Sequence, residues 1–282
     1  MSLDISGTLY SADNRAGSVL FIGVGHNHRY SPIRADLLQN FGLYAHIESV
    51  ELFTSARADA NLVLLKNDDF SGAFAQVVDA RSSGDVWWDT WGHIGSAILV
   101  SGNKQGTNET RLSFRNIFLN QWNTFLDNKL AGTQASREGD PTLTWEMFPE
   151  TISYLDPNLA YLKIYQPLHI SIDWWPDYSA SMTYHIYLYV DGDNHLRASG
   201  ARWAWWVEGG AKSGKIGDKL GPEVSGGLGT LQDQLNTQLQ GFDRLLGSVT
   251  DVYYLPDAQT APTGTGGFTG NTINDVTIVI EH

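Results

Sequence analysis

Seven side chains in the second half of the chain, Trp174, Trp175, His185, Tyr187, Tyr189, Trp203 and Trp205, gather the groups best suited to holding a ligand. Tyr and Trp rings join a wide stacking surface to one polar edge, which suits glycans, lipid head groups and protein anchors. His185, with Asp173 and Arg197, would add polar contacts on such a surface. Rings at alternate positions of a strand serve equally well as core packing, so both readings of the set stand.

Groups for covalent chemistry are sparse. There is no Gly-x-Ser-x-Gly elbow and no His-Glu-x-x-His helix. There is no cysteine, which removes thiolate nucleophiles, thiolate metal sites and disulfides. Asp173, Asp177 and Glu208 flank the Trp-rich strands, where a carboxylate pair for glycoside hydrolysis would sit. Gly209-x4-Gly214-Lys215 imitates a phosphate loop, but Ile216 stands where the Mg²⁺-binding Ser or Thr belongs. Asp191-Gly-Asp-Asn194 lacks the later Gly and Glu of a calcium loop and reads as a plain turn. In Gly25-His-Asn-His28 the two imidazoles share one side of an extended chain, with Asp36 the one candidate third ligand. Two His residues alone point weakly to zinc, and a solvated loop is the expectation. No cofactor and no metal is expected.

Composition narrows the partners. The 282 residues carry 31 acidic and 18 basic side chains, a net charge of −13, with no Lys/Arg cluster. Such a chain is poorly suited to nucleic acid or anionic lipid, so neither is an expected partner. Apolar residues make up 42% and charged residues 17%, ample for a core. No apolar run reaches the ~20 residues that span a bilayer, so no transmembrane segment is expected. Met1-Ser2-Leu3-Asp4 does not open like a signal peptide. The expectation is a soluble chain, cytoplasmic or released without a signal peptide.

The elements that must position these groups fall into two halves. In the first, Leu43-Tyr-Ala-His-Ile-Glu-Ser-Val50 is echoed by Thr90-Trp-Gly-His-Ile-Gly-Ser-Ala97, an offset of 47 from His46 to His93. β-rich runs, 18–25 and 61–66, precede each copy, and turn-rich stretches at 12–17 and 66–72 separate the strands. This is an all-β unit built twice, and a repeated His in a repeated fold is first of all a structural residue.

The pattern resembles the Greek-key motif of the βγ-crystallin family. Phe70 and Gly72 match its aromatic-x-Gly corner, and Ile94 and Ser96 its later strand. In the first copy Ile47, Ser49 and Val50 fit, while Arg15 and Gly17 occupy the corner. The resemblance covers residues 1–101 and implies a β-sandwich of structural or cation-binding use. The family's acidic calcium pairs fall on Tyr44 and Ala45, and on Trp91 and Gly92; its hydroxyl positions fall on Glu48 and Gly95. Calcium binding is therefore expected to be weak or lost.

Residues 102–112 read as a polar linker to an α+β domain over 113–282. Phe114, Ile117, Phe118, Trp122, Phe125, Leu126 and Leu130 step as an amphipathic helix, with Ser113 as cap and Gly132 as stop. A three-stranded antiparallel meander follows: 168–174, 182–190 and 195–207. On its strands Tyr184, Ile186, Leu188 and Val190 oppose His185, Tyr187 and Tyr189; Trp203, Trp205 and Val207 oppose Trp206. Leu220, Val224, Leu228, Leu231, Leu235, Leu239, Phe242 and Leu246 form the stripe of a second amphipathic helix, expected to dock on the sheet. A last strand covers 276–280. The function expected is non-enzymatic binding of a glycan, lipid or protein by the aromatic residues. A toxin-like, membrane-active protein and a hydrolase are the alternatives, and the oligomeric state is open.

Overall fold

The structure is a computed structural model that describes residues 3–25, 29–54, 57, 60–68, 74–79, 84–85, 94–147, 160–173, 177–208, 213–256 and 275–282. In its first hundred residues the 47-residue offset becomes geometry. β1 (Leu3–Ala12), β2 (Ala16–Gly25), β3 (Tyr30–Ile33) and β4 (Ser49–Thr54) are followed by β5 (Ala60–Leu65), β6 (Phe74–Asp79), β7 (Gly84–Asp85) and β8 (Ser96–Ser101). Strands β4 and β8 open on the equivalent Ser49 and Ser96, both fully buried. Ser49 Oγ donates to the Ala12 carbonyl at 2.7 Å, and Ser96 Oγ to the Asn67 carbonyl at 2.5 Å, so each hydroxyl ties its strand to an earlier turn of its own half. Ile47 and Ile94, two residues earlier, are buried in the same core.

The strand orders are β2-β1-β4-β7 and β3-β8-β5-β6. Each half thus lends its third strand to the sheet of the other. Gly17, at φ +79°, is required at the β1–β2 turn: a Cβ there would stand 2.4 Å from Ser11 Oγ. A six-residue helix, α1 (Ala35–Asn40), joins β3 to β4 and adds a helix to a half expected to be all-β.

Strands β5 and β8 of the second sheet are buried on both faces, and here the structure departs from two domains on a linker. Along β5, Ala60, Leu62 and Leu64 face the first sheet, while Val63 and Leu65 join a second core with Ile98 and Val100. That core extends through the rest of the chain. Residues 102–112, expected as a linker, are built into the fold. Lys104 bridges Arg57, Asn103 is buried, and β9 (Glu109–Ser113) pairs with the last strand. The partner of β9 lies more than 160 residues away in sequence, which is why a polar stretch read locally looks like a tether.

Helix α2 (Phe114–Leu130) follows its expectation: the Asn116 N–H donates to Ser113 Oγ at 3.0 Å, and Gly132 takes a positive φ just past the end. Next come β10 (Ala135–Arg137), β11 (Thr142–Met147), β12 (Ala160–Ile170), β13 (Tyr178–Val190) and β14 (Leu196–Val207). They make a five-stranded antiparallel sheet in which β10 and β11 pair with different stretches of β12. The expected meander is its centre; β12 begins eight residues earlier than the sequence predicts. Pro167, in mid-strand, falls between the stretches paired with β10 and β11, where the ladder needs no N–H from it.

The expected final helix is two, α3 (Ser213–Ser225) and α4 (Leu228–Leu246), turned at Gly226-Gly227. A Cβ on Gly227 would meet Phe125 and Lys129 of α2 at under 3 Å, so glycine lets the α3–α4 turn press onto α2. The apolar stripe nevertheless continues: Leu220, Val224, Leu228, Leu231, Leu235 and Leu239 are all buried against the sheet and α2. β15 (Asp251–Pro256) and β16 (Val276–Glu281) close the chain in the order β15-β16-β9.

Two polar devices join the halves. The Tyr254 N–H donates to Tyr30 Oη at 3.0 Å, and the Leu188 N–H donates to Tyr254 Oη at 2.6 Å, linking three sheets in series. Burial raises the pKa of both phenols. Fully buried Glu281 lies 3.3 Å from the Arg29 guanidinium and 4.0 Å from that of Arg57; Arg29 also pairs with Asp251 and stands over the Tyr253 ring.

Candidate functional site

The register of the five-stranded sheet sorts the expected ligand residues. On β13, Ala180, Met182, Tyr184, Ile186 and Leu188 face the helices and are buried. Their partners on β14 are Val207 opposite Ala180, Trp205 opposite Met182 and Trp203 opposite Tyr184. Directly opposed residues share a face, so Trp203 and Trp205 belong to the helix side. Tyr184 stacks on Trp122 of α2, with centroids 6.4 Å apart, and burial lifts its phenol to about 12. Trp203 lies beside Gly221 of α3 and is 39% exposed, whereas Trp205 packs on the core.

The ladder then slips. Between His185 and Ile186 the partner shifts from Arg202 to Gly200, leaving Ala201 as an extra residue. That bulge reverses the alternation of β14: Leu196 and Ala198 point inward before it, Trp203 and Trp205 after it. His185, Tyr187 and Tyr189 lie on the opposite, outer face. Of the five expected residues that are described, His185, Tyr187 and Tyr189 thus share one face and Trp203 and Trp205 the other. Trp174 and Trp175, like His26, His28, Phe70, Gly72, Trp91 to His93 and Gly209, lie outside the described residues.

The outer face has its own aromatic set. Trp206, opposite Ser181, is 56% exposed, and Tyr165 and Tyr189 are also exposed. Tyr161, Tyr187 and Tyr189 form a ring cluster with centroid spacings of 5.9 and 5.7 Å. Between Tyr165 and Trp206 lie two strand spacings and one two-residue step, about 12 Å in ideal sheet geometry. Lys163 and Arg202 flank His185 from the neighbouring strands, and His185 itself is only 4% exposed. Sequence reasoning missed Tyr165 because it lay before the predicted start of its strand. The alternation Tyr161, Lys163, Tyr165, Pro167, His169 against Leu162, Ile164, Gln166, Leu168 was the available signal. The sequence alternation sets Trp206 opposite Trp203 and Trp205, and the register agrees.

Asp177, Glu208 and Asp191 each sit against a neighbour. His169 Nε2 lies 3.3 Å from Asp177 Oδ2, and Glu208 accepts the Ser179 N–H at 3.2 Å. In the β13–β14 turn, ligand atoms of Asp191, Asp193 and His195 come within 4.8 Å of one another. Asp191 accepts the N–H groups of His195 and Asp193 and pairs with Arg197 at 3.0 Å. The His195 N–H first, then that of Asp193 and the Arg197 charge, holds this carboxyl below its ordinary range. These contacts are those of a side chain closing a turn.

Clefts open elsewhere on the described residues. One, of about 440 Å³, lies between the turn after α2 and α3, lined by Thr133, Gln134, Ile170, Leu220 and Glu223. Another, of about 360 Å³, lies between the β13–β14 turn and the end of α4. Neither contains an aromatic side chain of the outer face, on which Tyr165, Tyr189 and Trp206 are exposed while Tyr161, Ser181 and His185 are buried. No helix among the described residues is long and apolar enough to cross a membrane. Comparison with protein-family models, curated proteins and solved structures finds no match to this chain.

Proposed function

We propose that the chain is a non-enzymatic binding protein that contacts a glycan through the outer face of β11–β14. The observation that carries this is the exposure of Tyr165, Tyr189 and Trp206 on a single sheet face. These exposed rings keep stacking surface available to a ligand beside Tyr161 and His185, which are buried on the same face. Between the rings stand Ser181, Thr183, Lys163 and Arg202. Sugars present apolar C–H faces and polar edges, and this alternation of ring and hydrogen-bonding group answers both. The register gives the face no Leu, Ile, Val or Met on β11 to β14, which weighs against bilayer insertion.

Residues 1–101 are proposed as a βγ-crystallin-like structural module. What supports it is the doubled four-strand unit, the exchange of β3 and β7, and the matched roles of Ser49 and Ser96. At the position of the first calcium pair, Tyr44 Oη donates to Asp68 at 2.9 Å and the Ala45 N–H donates to the Ile94 carbonyl at 3.0 Å. Neither residue offers a carboxylate, so the module is proposed to bind calcium weakly or not at all.

A printed glycan array probed with the native chain and with a Tyr165→Ala/Trp206→Ala double variant tests the binding reading. The reading predicts retained glycans for the native chain and their loss in the variant. An empty array, together with flotation on neutral liposomes, would replace it with a membrane-active reading.

A further inference from the structure

The strand edges of this molecule are treated unequally. At β14, α4 covers the outer edge with side chains: the Leu196 N–H donates to Asp243 at 2.9 Å and the Gly200 N–H to Gln232 at 2.8 Å. Asn236 takes both groups of Ala198, at 2.7 and 3.1 Å. β3 contains Pro32, β7 has two residues, and β15 ends at Pro256. β2 has no such device. It is ten residues long, outermost in its sheet, and free of charge and proline. Apart from its ladder with β1 and the Ser18 N–H donated to Ser11 Oγ, residues 16–25 make no hydrogen bond among the described residues. An edge of this length and composition, left uncovered by the described residues, is a template for another strand.

We propose that β2 pairs antiparallel with β2 of a second copy, across a twofold axis at Phe21, joining two four-stranded sheets into one of eight strands. Strand β2 is complementary to itself about that residue. On its outward side stand Gly17, Val19, Phe21, Gly23 and Gly25, so Val19 of each copy faces Gly23 of the other and the two Phe21 rings meet. Phe21 is 59% exposed and Val19 46%. Leu37 and Phe41 extend the apolar margin: both are exposed, and a Cβ on Gly42, next to Phe41, would lie 3.5 Å from Ser18 Oγ. Chains of net charge −13 repel one another, and β2 offers a contact line without charge. Pairing residues 17–25 of each copy forms about ten backbone hydrogen bonds, the number found in an ordinary specific interface.

The absence of cysteine makes the register testable. Residues on a twofold axis between antiparallel strands have Cα atoms about 5 Å apart, within disulfide reach. Two copies of position 19 would be about 14 Å apart, out of reach. The native chain is expected to sediment as a dimer. Phe21→Cys should cross-link into a covalent dimer on mild oxidation while Val19→Cys stays uncoupled. Phe21→Lys should be monomeric with unchanged far-ultraviolet circular dichroism. A monomeric native chain, or equal cross-linking of the two cysteine variants, overturns the proposal. If Phe21→Lys fails to fold, the cysteine pair decides alone.

Discussion

The two faces of the β11–β14 sheet use the same residue types to opposite ends. Inward, Trp122 reaches from α2 to stack on Tyr184, and its Nε1–H donates to Gln166 at 3.1 Å, so ring and polar edge are both consumed by the fold. Outward, Trp206, Tyr165 and Tyr189 keep theirs in water. Aromatic content therefore says little about function until the register is known, and a single extra residue, Ala201, sets that register. The edges teach the same lesson: β14 is closed by amide and carboxylate side chains of α4, whereas β2 is left open.

The largest effect is expected inside. Trp122→Ala should lower stability by about 3–5 kcal/mol in a denaturant titration, because it opens a cavity and strands Gln166. A loss near zero would place Trp122 with the outer rings. Tyr254→Phe should cost about 1–3 kcal/mol by the same titration, since the buried Leu188 N–H loses its acceptor. Asn236→Ala should cost about 1 kcal/mol and speed amide exchange at Ala198. The β13–β14 turn carries a pH signature. Because its folded pKa is depressed, Asp191 stabilises the turn above its unfolded value, about 3.9, and that contribution fades as pH falls through the lower folded value. The protection factors of the Asp193 and His195 amides, each taken relative to the intrinsic exchange rate at the same pH, should fall between pH 6 and pH 3, while those of Ala198 and Gly200 at the α4-covered edge hold. Smallest of all, Trp206→Ala should move stability by no more than about 0.5 kcal/mol.

What could be read from sequence was local. The α2 cap at Ser113, its stop at Gly132 and the Asp191–Asn194 turn depend on neighbours a few residues apart, and all stand where predicted. The repeat was legible because Ile47 and Ser49 return as Ile94 and Ser96 in equivalent structural roles. The break at Gly226-Gly227 was hidden because the leucine stripe keeps its spacing across it. The partners of 102–112, and the Arg29–Glu281 contact, span most of the chain and leave no local trace. The proposed ligand face is half legible: the alternation of β13 puts Tyr187 and Tyr189 on it, whereas the bulge at Ala201 turns Trp203 and Trp205 to the other side.

The most direct test sets the two faces against each other in one binding assay. Native chain, Tyr165→Ala/Trp206→Ala and Trp203→Ala/Trp205→Ala are titrated with whichever glycan the array retains, with the thermal midpoint of each recorded. The account predicts that the outer pair loses binding at least tenfold with its midpoint unchanged, while the inner pair loses midpoint and keeps affinity. Binding lost only in the inner pair, with the outer pair fully active, would contradict it.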